Sequence, residues 1–360
     1  MNYLQSAQAL YEQMVRDRRH LHQHPEVGMD LPETCSYVMA RLTEMGYQPR
    51  RLGGGVTATV TGKPDGKVFL LRADMDALPM REESGLPFAS QRSCAHTCGH
   101  DMHTAMLLGA AQLLRDRAAE LNGTVKFMFQ PGEEVLSGAR SMIEAGILED
   151  PHVDAAMGAH MIPMIPAGLG GYGTGVVSAS SDHLVIRVEG RGGHGAHPQS
   201  TVDPINIGVH IHLALQELLS READPAELVV LTFGKFQGGD AANIIPSSAV
   251  LEATLRPFSE PLRTHLLERI DTICTCTAEA FRGRAQVTDL CSTCSLQIDG
   301  DTAAAVAQGW QREGLKMLQQ GEKMSGSEDF AEIAARVPST FFVVGEGVDR
   351  CGDSVKALFD

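Results

Sequence analysis

The chain has 360 residues, 43% of them hydrophobic, and 45 acidic against 30 basic side chains give it a formal charge of -15. That is enough chain for two domains with ample core, and too apolar for a disordered polymer. The acidic balance argues against nucleic acid or an anionic membrane as the main partner, although a local Arg or His can still hold a small anionic substrate.

The opening Met1-Asn2-Tyr3-Leu4-Gln5 has no basic region followed by an apolar run, so no secretory signal is expected. No apolar stretch reaches the roughly eighteen residues of a membrane span. The 8 cysteines read as reduced thiols, which places the protein in the cytoplasm.

Amphipathic helices are expected over residues 5–22 and 33–45. The apolar run Lys67 to Leu71 reads as a strand ending in Arg72-Ala73-Asp74-Met75-Asp76, and 101–117 as a helix with Asp101 where a carboxylate suits the dipole. A second strand, Val125 to Phe129, leads straight into Gln130-Pro131-Gly132-Glu133-Glu134. A helix over Ser137 to Ile147 and a strand over Asp154 to His160 follow. Three successive strands thus deliver polar residues at their C-terminal ends, as sites form at the carboxyl edge of a parallel sheet.

The pattern changes near residue 179. Strands at His183 to Glu189, Val229 to Phe233 and Val250 to Leu255 alternate with helices at Asp203 to Arg221 and Pro261 to Arg282. That β-α-β-β-α order predicts an inserted antiparallel α/β unit over 179–297, between catalytic segments 1–178 and 298–360. The last segment is expected to hold helices near 301–317 and 327–336 and a strand at Thr340 to Val344.

The chemistry concentrates in His96-Thr97-Cys98-Gly99-His100-Asp101-Met102-His103 and in Glu133-Glu134. Thiol, imidazole and carboxylate together suit zinc or manganese, and a Glu pair can give one carboxylate to metal and keep the other as a base. His160, at the end of a strand, joins this set or is a hydrogen-bonded core histidine.

Arg18-Arg19-His20-Leu21-His22-Gln23-His24-Pro25-Glu26, Leu71 to Pro79, His96 to Asp101 and Phe129 to Glu134 resemble the metal-dependent amidohydrolases. So do Gly190-Arg191-Gly192-Gly193-His194-Gly195-Ala196, Asn243-Ile244-Ile245-Pro246 and Gly326-Ser327-Glu328-Asp329-Phe330. That family includes hippurate hydrolases, N-acyl-amino-acid deacylases and indole-acetyl-amino-acid hydrolases, and is related to aminoacylases and metallo-carboxypeptidases. The resemblance covers nearly the whole chain, with the motifs in the family's order.

It implies a mixed, mostly parallel α/β catalytic domain with helices on both faces, and a smaller ferredoxin-like domain serving as lid and dimerisation element. It implies two divalent ions, zinc or manganese. Cys98 matches the bridging ligand, His100 a ligand of one metal, and Glu134 and His160 ligands at the other or shared positions. Glu133 matches the general base. Asp76 matches an acid that orients a ligand, and also reads as a simple turn carboxylate. His20, His22 and His24 match structural positions.

In the inserted domain the resemblance makes His194 the group that hydrogen-bonds the oxyanion, acting on the other subunit of a homodimer. It places Asn243 and Arg256 against the substrate carboxylate, where an Arg can bind both oxygens; Arg256 as a surface charge stays open. Cys274, Cys276, Cys291 and Cys294 could be drawn as a structural zinc site, but positions 274 and 276 fall on different faces of a helix.

Two departures stand out. No histidine follows His265, where the family supplies a further ligand after the last strand, leaving Cys351 or Asp353 as substitutes or one metal site weak or empty. The chain stops at Asp360, where the family continues into a helix, and Gln199 replaces a common histidine. The expected activity is hydrolysis of an N-acyl amino acid or related small amide. The alternatives are a dipeptidase or carboxypeptidase on a dipeptide-like substrate, and a non-catalytic metal- or ligand-binding relative.

Overall fold

The computed structural model describes residues 3–63, 65–163, 165–319 and 323–347. The chain divides into two compact units, one formed by Met1–Val177, Leu296–Glu322 and Asp329–Asp360, the other by Ser178–Ser295 and Lys323–Glu328. The short return segment 323–328 thus joins the second unit, and sequence patterning did not single it out.

The first unit is built on an eight-stranded sheet. Lys67–Asp74 lies between Gly123–Gln130 and Ala155–Ile162, parallel to both, and Ala155–Ile162 is parallel to Ser339–Gly345. Gly123–Gln130 is buried along almost its whole length, as a strand covered on both faces must be. All three strands expected from the sequence exist, and the loops that carry Asp76, Glu133 and Glu134 leave their carboxyl ends.

The hydrophobic core explains the flanking helix. In Pro32–Glu44 and the residue before it, Leu31, Cys35, Val38 and Leu42 recur at helical spacing and are fully buried. They meet Val56, Ala58 and Val60, the inward alternate positions of strand Gly55–Thr61. Each Leu and Val among them contributes about 1.5–3 kcal/mol by leaving water.

Several expectations need correction. The first helix is two, Tyr3–Ala9 and Tyr11–Gln23. Strands Arg50–Leu52, Gly55–Thr61, Leu169–Tyr172 and Lys316–Gln319 escaped notice because they are short or rich in Gly and Thr. The helix expected to reach 317 stops at Arg312, since Gly314 takes a left-handed φ of 91° and turns the chain into a strand. Of the helix near 327–336 only Ala331–Ala334 forms.

The second unit runs β-α-β-β-α-β, with Arg284–Thr293 as a fourth strand that sequence reading missed. Its sheet places Ser181–Glu189 between Ser248–Pro257 and Arg284–Thr293, and Val229–Gly238 at one edge, all antiparallel. Leu184, Ile186 and Val188 alternate inward toward Ile207, Ile211 and Leu215 of one helix and Leu266, Ile270, Cys274 and Ala278 of the other. Cys274 is therefore a core position, while Cys276 is exposed. Among the described residues these cysteines form no metal-like cluster.

Candidate metal centre

The loop after Lys67–Asp74 carries Asp76, and Asp76 organises the site. Its carboxylate is fully buried and accepts the backbone N–H of Glu133 at 3.0 Å and of Glu134 at 3.1 Å. Its carbonyl accepts the Nδ1–H of His100 at 2.8 Å. One residue thereby fixes both the Glu-Glu turn and an imidazole.

Two glycines make the approach possible. Gly99, with φ of 85°, lets the chain turn from Cys98 into helix His100–Asp116. Gly132, with φ of 61°, starts the Glu-Glu turn, and a Cβ there would meet the Met29 sulfur at 2.2 Å. Neither conformation suits a residue with a side chain.

The tautomers follow from these contacts. With Nδ1 donating to Asp76, neutral His100 presents its Nε2 lone pair. His160 does the same, since its Nδ1–H donates to the Met161 carbonyl at 2.7 Å and its Nε2 lies 3.4 Å from Cys98 Sγ. His100 Nε2 and Glu134 Oε1 are both buried without a hydrogen-bond partner and stand 3.9 Å apart. Two ligands on one tetrahedral zinc are separated by about 3.3–3.8 Å, so the Cys98–His160 pair sits at ligand spacing and the His100–Glu134 pair lies just beyond it.

Charge points the same way. Asp74, Asp76, Glu133, Glu134 and the Cys98 thiol converge on two imidazoles. Burial disfavours the imidazolium of His100, yet Asp74, Asp76 and Cys98 outweigh it and hold its pKa well above the usual histidine range. Burial pushes the Glu134 carboxyl up despite His100, with Asp76 adding to the rise. Burial also pushes the Cys98 thiol up to about 11. A buried cluster that holds a proton on an imidazole and on a thiol is one that a divalent cation would relieve of both. The donor set and its orphaned atoms fit a metal centre.

Five residues at this centre were given no individual role by the sequence reading. His103 donates Nδ1–H to Asp74 at 2.6 Å and accepts the Met161 N–H at Nε2, 2.9 Å away, so both its nitrogens are committed. Burial drives its pKa down to about 4. Asp74 also takes an ion pair from fully buried Arg72 at 2.6 Å, and Arg72 reaches Asp329 at 2.9 Å. Gln130 donates to the same Asp329 at 2.7 Å. Burial would raise the Asp74 carboxyl, but Arg72, His100 and His103 hold it well below the usual range. The Asp74 and Gln130 signal was available, since both end parallel strands.

His22 is structural in its contacts. It is buried between Asp101 at 2.8 Å and Glu82 at 3.0 Å, and Arg18 also reaches Asp101, at 3.2 Å. His24 Nδ1–H donates to the His20 carbonyl. Cys351 and Asp353 lie outside the described residues.

In the second unit, His194 and Asn243 are neighbours. Gly193–His194 pairs with Ile244–Ile245, and the Gly195 N–H donates to the Asn243 carbonyl at 2.8 Å. His194 is exposed, and its Nδ1 accepts the Ala196 N–H at 3.1 Å. The neutral ring therefore carries its proton on Nε2, which leaves that nitrogen as a donor. Arg256 is held by Thr254 Oγ1 at 3.1 Å and the Ser325 carbonyl at 3.3 Å.

A mixed, mostly parallel α/β sheet thus carries thiol, imidazole and carboxylate groups of the kind that can hold metal at the carboxyl ends of its parallel strands. Residues 70–355 match the sequence model of peptidase family M20/M25/M40, and the chain belongs to that family. It is 36% identical over 344 residues to an N-acetyl-L-cysteine deacetylase of Bacillus subtilis, covering 95% of this chain and 82% of that protein. It is also 36% identical to an IAA-amino acid hydrolase of Arabidopsis thaliana, over 93% of this chain and 77% of the relative. A Bacillus subtilis structure described as a dinuclear metal binding peptidase of family M20 superposes with a TM-score of 0.79 at 33% identity, covering 94% of this chain and 90% of that one. No helix among the described residues is long and apolar enough to cross a membrane.

Proposed function

We propose that this amidohydrolase cleaves the amide bond of N-acyl amino acids through a dinuclear centre. The observation that carries the reading is the pair of orphaned, buried atoms His100 Nε2 and Glu134 Oε1 beside the Cys98–His160 pair. Cys98, His100, Glu134 and His160 would hold the ions, zinc or manganese. Divalent cations there would polarise the scissile carbonyl and make water acidic enough to lose a proton near neutral pH.

The chain's own residues do the rest. Glu133, beside the ligand Glu134, takes a proton from the attacking water and delivers it to the leaving nitrogen. Asp76 positions both glutamates through their amides and His100 through its carbonyl. His194, with its Nε2 proton free to donate, stabilises the oxyanion. Asn243 and Arg256 hold the substrate carboxylate. We assign the second unit as lid and dimerisation element, so that His194 serves the other subunit. The seven described cysteines are free thiols, which supports a cytoplasmic setting.

The names of the relatives favour acyl amino acids over dipeptides. The test is Glu133→Ala in metal-loaded protein, assayed on a panel of N-acetyl, N-benzoyl and N-indoleacetyl amino acids and free dipeptides. Turnover of the acyl series should vanish in the variant with metal content intact. Full activity in the variant overturns the mechanism, and a wild type that prefers dipeptides overturns the substrate class.

A further inference from the structure

Three arginines of the second unit come from different elements and share one cleft. Arg191 follows strand Ser181–Glu189, Arg282 follows helix Glu260–Ala280, and Arg284 begins strand Arg284–Thr293. Together they line a cavity of about 460 Å³.

None of the three has a carboxylate at ion-pair distance among the described residues, and Arg282 has only the Thr201 carbonyl, at 3.4 Å. Elsewhere in the unit Arg263 binds Asp182 at 2.6 Å and Arg269 binds Glu222 at 2.8 Å, while Arg256 is likewise held by no carboxylate among the described residues. What sets these three apart is that they surround one concavity, in a chain with 45 acids against 30 bases. Glu189 lines the cleft directly across the strands from Arg284, yet forms no ion pair with it.

Arg282 also holds a left-handed φ of 69°, a conformation that a non-glycine residue adopts at some cost. The adjoining Gly283 leaves no alternative path, since a Cβ there would meet Ile207 at 2.5 Å and the Glu189 carbonyl at 2.8 Å. The tight turn thus sets Arg282 and Arg284 on either side of a glycine, facing the loop of Arg191.

We propose that this cleft binds a phosphate group, either inorganic phosphate or the phosphate of a monoester. A carboxylate is satisfied by one guanidinium fork, whereas a phosphate carries about -1.5 to -2 charge at neutral pH and three or more acceptor oxygens. Three unpaired guanidiniums around a concavity match that charge and valence, and they outweigh the one carboxylate, Glu189.

The experiment is isothermal titration of the metal-loaded protein with inorganic phosphate and with glycerol phosphate, at constant ionic strength. Wild type is compared with R282Q/R284Q, whose thermal midpoint checks the fold. Saturable binding is expected, weakened about ten-fold or more in the variant, as loss of charge-assisted hydrogen bonds implies. Tighter binding of the ester assigns a phosphorylated metabolite; tighter binding of the inorganic ion assigns free phosphate. Equal affinity in wild type and variant places the ion elsewhere and overturns the proposal. Absence of saturable binding at millimolar phosphate overturns it as well.

Discussion

The Asp76 carboxylate receives the backbone N–H of Glu133 at 3.0 Å, and its other oxygen receives that of Glu134 at 3.1 Å. A single side chain thereby sets, through two backbone amides, how the proposed base and the proposed ligand are presented. Asp76→Ala removes both bonds and strands two buried amides. Metal affinity is expected to fall about 10–100-fold, the usual effect of losing a group that orients ligands. Equilibrium dialysis against zinc or manganese measures it. An unchanged affinity and rate would reduce Asp76 to a turn carboxylate.

Cys98 is the most direct probe of the centre. Its thiol is held protonated by burial unless a cation is present. Cys98→Ala should lower metal stoichiometry and cost several kcal/mol of transition-state stabilisation, at least about a hundred-fold in rate. Retention of both in the variant would sink the assignment of ligands.

Arg72 lies in the core with both Asp74 and Asp329 on it. Replacing it by Leu leaves two buried carboxylates without their cation. A loss of about 3–5 kcal/mol is expected, because breaking a buried pair costs more than the pair is worth. Urea unfolding monitored at the single tryptophan, Trp310, reads this out. A loss under about 1 kcal/mol would show that the network is not structural.

His22 gives a pH dependence. Burial alone would lower its pKa, but the hydrogen bonds and charges of Asp101 and Glu82 overcome that and raise it. The folded state therefore binds the proton more tightly than the unfolded chain, whose histidine titrates near about 6.5. Its stabilisation is complete below that pH and is lost as pH rises through the raised folded value. Unfolding free energy should decline with pH across that window in wild type and be flatter in His22→Gln. Parallel curves for the two proteins would refute the assignment.

Much of this was legible in the chain itself. Long apolar runs bounded by polar clusters marked the strands Lys67–Asp74, Gly123–Gln130 and Ala155–Ile162, at whose ends the candidate ligands lie. Arg284–Thr293 was not legible, because most of it is exposed and only the small or half-buried Ala285 and Val287 mark an inward face, with no turn signal before it other than Gly283. Short strands such as Leu169–Tyr172 are specified by their neighbours rather than by their own propensity.

The sequence by itself determined which residues could bind metal: Cys98, His100, Glu133, Glu134 and His160 are chemically suited wherever they lie. Only the tertiary structure decided which nitrogens are free. His100, His103 and His160 share one cluster and one residue type, yet His103 is spent on Asp74 and Met161 while the other two keep Nε2 available. That distinction depends on which carbonyls, amides and carboxylates of distant strands meet each ring. Hydrogen bonds between residues far apart in the chain leave no local trace in the sequence, so the choice between ligand and support is made only when the sheet closes.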